Sequence, residues 1–458
     1  MSSAIEGFQQ SIFRFLPEVT LPKKRINLKK RIIWSALMLL IYFILSELPV
    51  YGITGEQTDY FAGLRAIMAG ENGSILTLGI GPVVTAGIIM QLLAGSDIIK
   101  FDLSTSRGKA SFQGTQKILA IFLCFFEAAI WIIGGAFGRP NNSFLIGFMI
   151  LQLAIGGLLV LMMDEVVTKW GFGSGISLFI AANVSQKILW EAFSFAKSPI
   201  NPDEFIGAIP SFIKSFIGGQ PVWIRGGILP DITQVFFTIL VFLIVVYAEG
   251  MRLEIPLSYG KFRGARGRYP IKFLYASNIP VILAAALFAN VQLVARILTS
   301  RGINWLGTFN EYGGAKSGLI YYLTPPRNID VLLNEPLRAI IYLVVFIALC
   351  AMFATLWIDL TGMGPKEVAK KLQGSGMQIP GFRRDIRILE KVLDRYIPPI
   401  TLMGGIFVGL LAAFADFTGA LGTGTGILLT VGIVYRMYEE LAKEQMGEMM
   451  PGLRQFLG

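Results

Sequence analysis

The sequence contains no histidine. That absence removes the commonest general base, the commonest metal ligand and the usual haem ligand together, so little is left with which to build an active site. Cysteine is almost as scarce. Cys124 and Cys350 are the only two, and each sits inside an apolar run, which argues against a disulfide framework and a thiolate metal cluster. Charge is thin as well, at 15% of residues against 54% hydrophobic, with a mean hydropathy of +0.62. These values lie far from those of a soluble domain and describe a polytopic membrane protein for which no metal, cofactor or catalytic group is expected.

What is present is a series of apolar runs. Residues 1–31 form a cytosolic segment in which Ile5, Phe8, Ile12, Phe13 and Leu16 recur at helical spacing, as in an amphipathic helix lying on a membrane surface. Ile32–Val50 follows a basic cluster and reads as a first span rather than a signal peptide, because no small-residue cleavage pattern follows it. Residues 55–73 carry Glu56, Asp59, Arg65 and Glu71, with Tyr60, Phe61, Leu64, Ile67 and Met68 on one short helix. That segment is too charged and too short to span. Further windows of about twenty apolar residues fall near 74–94, 116–137, 143–163, 174–194, 229–249, 273–297, 336–359, 397–417 and 425–440. The expected fold is therefore all-α, with ten transmembrane helices and both termini on one side.

Placing the termini inside puts about 29 of the 40 Lys and Arg on the inner side and about 11 outside, as the positive-inside rule requires. Two inner loops, 250–272 and 362–396, hold nearly half of the inner charge, including Lys261, Arg263, Arg266, Arg268, Arg383, Arg384 and Arg387. Such density suits anionic lipid, and with Tyr259, Phe262, Tyr269 and Phe382 interleaved it also suits the phosphates of an RNA surface; charge alone leaves both open.

Ser74–Leu93 is uncharged yet carries Gly79, Gly81, Pro82 and Gly87, and a membrane tolerates loosened backbone only where protein or water satisfies it. Its IGPVVTAG (80–87) is echoed by NIPVILAA (278–285), and GSGI (173–176) by GTGI (424–427). Spans 2 and 5 thus pair with spans 7 and 10. Two five-span halves follow, 32–194 and 229–440, the second inverted, joined by an external loop 195–228 and followed by a cytosolic tail 441–458. Inverted repeats place a pathway at their interface, lined by interrupted helices. Ile80 and Val84 share one helical face and Ile176 and Ile180 another, with Ile282 and Leu429 supplied by spans 7 and 10. Glu127, in mid-span 3, is an intramembrane acid and so a functional candidate, and Thr85 and Asn290 are polar at comparable depth.

Two other classes fit less well. A secondary transporter shares inverted repeats but needs polar ligation at the midplane, where these segments offer mainly Ile, Val, Leu, Gly and Ala. An intramembrane enzyme needs a base for Ser174 or a second acid for Glu127, and GTGTGI lacks the Lys and Ser or Thr of a phosphate loop.

FLPEVTLP, TLGIGPVVTAGIIMQLL, FGSGISLFIAANVSQ, YPIKF with SNIPVILAAALFANVQL, and GALGTGTGILL together resemble the SecY family of Sec-translocon channel subunits in its archaeal form, over essentially the whole chain. The resemblance implies a protein-conducting channel in the plasma membrane with cytoplasmic termini and two inverted, pseudo-symmetric halves around a central pore. It implies a pore ring of Ile80, Val84, Ile176, Ile180, Ile282 and Leu429, and a plug formed by Tyr60, Phe61, Leu64, Ile67 and Met68. It implies a lateral gate with Thr85, Glu127 and Asn290 as its polar seam, opening to release hydrophobic segments into lipid. The implied partners are a SecE/gamma-type subunit, a small Sec beta-type subunit, signal sequences, membrane lipids, and a ribosome with its nascent chain docked on the two basic loops.

Overall fold

The computed structural model describes residues 17–24, 26–53, 68–95, 98–99, 101, 105–138, 142–198, 204–219, 222–225, 229–259, 266–276, 278–300, 302–310, 314–326, 329–374, 377–378 and 385–449. In chain order the elements are α1 (Leu28–Glu47), α2 (Gly81–Gly95), α3 (Ser106–Ile133), α4 (Ser143–Trp170), α5 (Gly175–Phe193), α6 (Ala208–Ile217) and α7 (Ile232–Gly250). Strands β1 (Arg252–Tyr259) and β2 (Arg266–Lys272) come next, then α8 (Ile279–Ser300), β3 (Gly307–Phe309), β4 (Ala315–Gly318), α9 (Leu319–Tyr322) and α10 (Ile329–Asn334). The chain finishes with α11 (Pro336–Thr361), α12 (Pro365–Gly374), β5 (Met377–Gln378), α13 (Ile386–Phe417) and α14 (Gly424–Met449).

Each apolar window holds one of these helices, and among the described residues six stretches, in α3, α4, α7, α8, α11–α12 and α13, are long and apolar enough to cross a membrane. Polar side chains begin several of them: Thr105, Asn142, Asp231 and Asp385 each accept a backbone N–H of the first turn. The window at 74–94 departs from a continuous helix. Ser74–Ile80 is a run of turns, and α2 is only 15 residues long, about 22 Å against a hydrocarbon core of about 30 Å.

The four echoed motifs are helix beginnings rather than interruptions within helices. Pro82 and Pro280 are the second residues of α2 and α8, where a missing N–H costs nothing because no intrahelical acceptor awaits it. At α5 and α14 an aspartate from the preceding helix supplies the cap. Asp164 Oδ1 accepts from Ile176 N at 2.8 Å, and Asp416 Oδ1 accepts from Gly424 N at 2.9 Å and Thr425 N at 3.3 Å. A side chain on Gly424 would collide with Ala415, so the glycine is what lets α13 pass this close. These carboxylates already occupy the place a bound phosphate would take, which explains the glycine runs without a nucleotide.

Both cysteines are free and buried, and both are small partners in close helix packing. A Cβ on Gly157 would stand 2.9 Å from Cys124 Sγ, and one on Gly409 would stand 3.1 Å from Cys350 Cβ and Ile347 Cα.

The all-α expectation needs correcting at the loops. β2, β1 and β5 form a three-stranded antiparallel sheet, and β3 pairs with β4 in a second, two-stranded one. Ile255 faces Tyr269 across β1 and β2, while Ser258 pairs with Gln378 and Tyr259 with Met377. The two basic loops are thereby joined in one sheet.

Candidate functional site

Ile80, Ile180 and Leu429 are buried in one apolar cluster, and Val84, Ile176 and Ile282 pack against the same cluster. The spacing argument survives although Ile80 lies one residue ahead of α2, because Val84 N donates to Ile80 O at 3.0 Å and closes the first turn. All six, near four separate helix beginnings, thus belong to or pack on one extended apolar cluster. Beside them lies a cavity of about 30 Å³, bordered by Met68, Ile80, Val84, Trp131 and Ile282, which has room for one or two water molecules.

The polar wall of that cavity is Thr85, Glu127 and Asn290. Asn290 Nδ2 donates to Thr85 Oγ1 at 3.2 Å, joining α8 to α2 across a sequence separation of 205 residues. The Glu127 carboxyl, on α3, reaches the Thr85 hydroxyl. Glu127 is 6% exposed, its Oε2 lies 3.2 Å from where a Cβ on Gly81 would stand, and its Oε1 has no hydrogen-bond partner among the described residues. A buried polar atom left without a partner costs about 1–3 kcal/mol, so this contact between α2–α3 and α8 is closed but incompletely satisfied.

Of the five residues expected in the plug, Tyr60, Phe61, Leu64 and Ile67 lie outside the described residues. Met68 borders the cavity. Its carbonyl accepts from Ile80 N at 2.8 Å, and the next carbonyl, Ala69 O, accepts from the Tyr42 hydroxyl at 2.9 Å. The Met68–Gly70 segment is therefore tied by its backbone to Ile80 and Tyr42 of the apolar cluster. Gly79 makes this possible: its φ is +52°, and any Cβ would collide with the Met68 carbonyl. Gly79→Ala is expected to push the Met68–Gly70 segment off the cluster at a cost of about 1–3 kcal/mol for the left-handed backbone alone. Hydrogen exchange at the Ile80 amide, which donates to Met68 O, would report faster opening; unchanged protection would refute the tie.

The basic side chains behave unequally. Arg268 is 76% exposed yet pairs with Glu254 at 2.5 Å, and Arg387 is exposed in the first turn of α13. Arg266 lies on β2, whereas Lys261, Arg263, Arg383 and Arg384 fall outside the described residues. Arg252 and Lys272 both pair with Glu439, which fastens the hairpin to α14. Sequence reading missed that fastening and the two capping aspartates; the apolar neighbours of Asp416 gave the one available signal, a lone acid at the end of a span.

Comparison with known proteins settles the family. The SecY family model matches residues 74–438, and the model described as the plug domain of Sec61p matches residues 40–73. The chain belongs to the SecY family. Among curated SecY relatives, the protein translocase subunit SecY of Pyrococcus furiosus is 53% identical, covering 97% of each chain. That of Methanocaldococcus jannaschii is 46% identical over 97% of this chain and 98% of the relative. A solved SecY-like structure described as a protein conducting channel superposes with a TM-score of 0.86 at 45% identity, covering 96% of this chain and 98% of that one. A second, described as Sec61 in the canine ribosome-channel complex from the endoplasmic reticulum, gives 0.83 at 45% identity with the same coverage. Like other SecY members, the chain is a multi-pass membrane protein. The match at 40–73 also takes in the whole 55–73 segment singled out as a plug.

Proposed function

We propose that this SecY-family chain passes unfolded secretory polypeptides between two inverted halves, 32–194 and 229–440, and releases hydrophobic segments sideways into lipid. It is a protein-conducting channel, not an enzyme. The observation that carries the mechanism is one small cavity bordered by apolar residues of both halves and by a polar seam that joins them. Ten spans with cytoplasmic termini in the plasma membrane account for the apolar windows and the bias of Lys and Arg. The matching Asp164 and Asp416 caps support the pseudo-symmetry.

Ile80, Val84, Ile176, Ile180, Ile282 and Leu429 form the constriction. A dehydrated apolar ring opposes ions, because a charge crossing it loses its hydration, yet it parts around a chain of any sequence. Met68, at the edge of the same cavity, belongs to the 55–73 segment that serves as the plug. The seam of Thr85, Glu127 and Asn290 is the lateral gate. There, each Leu or Ile of a passing segment gains roughly 0.3–0.6 kcal/mol on entering lipid while one central charge loses about 2.5–3.5, which separates signal from cargo. A secondary transporter is disfavoured because the chain's relatives are protein translocase subunits and the six residues of the ring are all apolar. In vesicles reconstituted with the native complex, an unfolded labelled secretory polypeptide should become protease-protected while a labelled small solute stays outside. Solute uptake without polypeptide protection would overturn the reading.

The force comes from partners. A ribosome with its nascent chain docks on loops 250–272 and 362–396, and the joining of these loops through β1 and β5 gives it one surface rather than two. The canine relative solved in a ribosome-channel complex supports this. A SecE/gamma-type subunit and a small Sec beta-type subunit complete the assembly. Arg383→Glu with Arg384→Glu is expected to weaken ribosome docking at moderate salt and leave the fold intact. Unchanged co-sedimentation would instead assign the loops to anionic lipid.

A further inference from the structure

The connection between α5 and α7 is organised in a way that water alone does not explain. In α6 the outward stripe is Ile213, Phe216 and Ile217, spaced three and four apart, and Ile217 is 80% exposed. Val222, Trp223 and Ile224 extend the same exposed apolar surface, with Trp223 packed on Phe212 at 5.0 Å between ring centroids. A helix beside water turns this stripe inward; here Ala208 and Pro210 are the buried positions and the large side chains face out.

The connection is also fixed in place. Arg225, whose side chain is 6% exposed, donates to Glu204 Oε2 at 2.8 Å, to Phe205 O at 2.8 Å and to Pro230 O at 2.9 Å, while Gly207 N donates to Ser194 O at 3.0 Å. These bonds hold the segments that flank α6 against the end of α5 and the approach to α7. The two helices present exposed apolar side chains at those ends, Trp190 and Phe193 on one, Phe236 and Ile239 on the other. The α6 patch is therefore continuous with the surface that faces the hydrocarbon.

We infer that α6 and residues 222–224 form an interfacial anchor that lies in the headgroup region of the bilayer, with Ile213, Phe216 and Ile217 toward the acyl chains. Trp223 has the amphipathic ring that favours that depth, and Lys214, exposed beside the stripe, carries its ammonium 5.6 Å from the Phe205 ring centroid, a charge at the polar edge of the patch. The rigid Arg225 hub keeps the patch at the height where α5 and α7 leave the membrane, so the anchor also fixes the depth at which this side of the molecule sits.

The test uses the full chain in its native complex, reconstituted in nanodiscs of phosphatidylcholine and phosphatidylglycerol, with single spin labels on Ile213→Cys, Ile217→Cys and, as a control on β4, Lys316→Cys. Cys124 and Cys350 are buried and stay in place. Labels at 213 and 217 should collide several-fold more with dissolved oxygen, and several-fold less with a water-soluble nickel chelate, than the label at 316, at a depth of roughly 5–10 Å. Nickel collision at 217 equal to that at 316 would place the patch in water and overturn the inference. Exclusion of both oxygen and nickel would mean that a protein partner or a second copy covers it, and would overturn the inference equally.

Discussion

Replacing Ile80 and Ile282 together with serine is expected to make the resting channel leak ions. Both side chains border the 30 Å³ cavity, which at present holds no more than one or two waters and offers them polar groups on one wall only. Serine at both positions enlarges the space by most of two side chains and adds two hydroxyls, so water gains both room and partners. A hydrophobic constriction that gates by staying dry then fails. The fold should survive, because the surrounding cluster is extensive, although large-to-small changes at buried sites cost about 2–5 kcal/mol each. Ile80→Leu with Ile282→Leu separates the two effects, since it disturbs packing but leaves the ring apolar, and it should remain sealed. Conductance of the serine pair in planar bilayers indistinguishable from wild type would remove both residues from the constriction.

The proposed ring could be put together from the sequence because its signal is local. Ile80 with Val84, and Ile176 with Ile180, announce a shared face by spacing alone, and the flanking Gly and Pro mark where backbone must pass closely. The seam was legible for a different reason: polar residues are so few in the apolar windows that Thr85, Glu127 and Asn290 stand out, and the structure brings all three together. Context hid the rest. Pro82 and Pro280 look like breaks within helices, but a proline opens a helix as readily as it interrupts one, and only the preceding turns decide between the two. The sheet was missed because β1 and β2 each contain a proline, Pro256 and Pro270, and because Tyr259 finds its partner Met377 in the other loop, a pairing with no trace in either segment. The caps from Asp164 and Asp416 arrive from the preceding helix, where no capping rule looks for them.

Replacing Thr85, Glu127 and Asn290 together with leucine should hold the gate shut more firmly and demand a more hydrophobic signal segment. The closed seam is an uneven bargain: the Asn290 amide bonds the Thr85 hydroxyl at 3.2 Å and the Glu127 carboxyl reaches the same hydroxyl, but Glu127 Oε1 has no partner among the described residues. Closure therefore leaves that carboxyl oxygen at most the one or two waters of the cavity, and parting α2 and α3 from α8 returns it to bulk water or headgroups. Leucine at all three positions abolishes that incentive to open and adds apolar contact across the same surface. Interhelical hydrogen bonds in membranes contribute about 0.6 to 2 kcal/mol, so the threshold should rise by about 1–2 kcal/mol. At roughly 0.3–0.6 kcal/mol for each central leucine, that shift corresponds to on the order of three further leucines in the segment. Glu127→Gln serves as companion, since it keeps the shape and one carbonyl acceptor for the Thr85 hydroxyl, and its shift should be smaller than that of the triple variant. The measurement is a graded series of signal segments differing in Leu and Ala content, scored for translocation or integration in both variants and in wild type. A threshold identical in all three would show that these residues only pack, and the seam would then have no part in setting what leaves sideways.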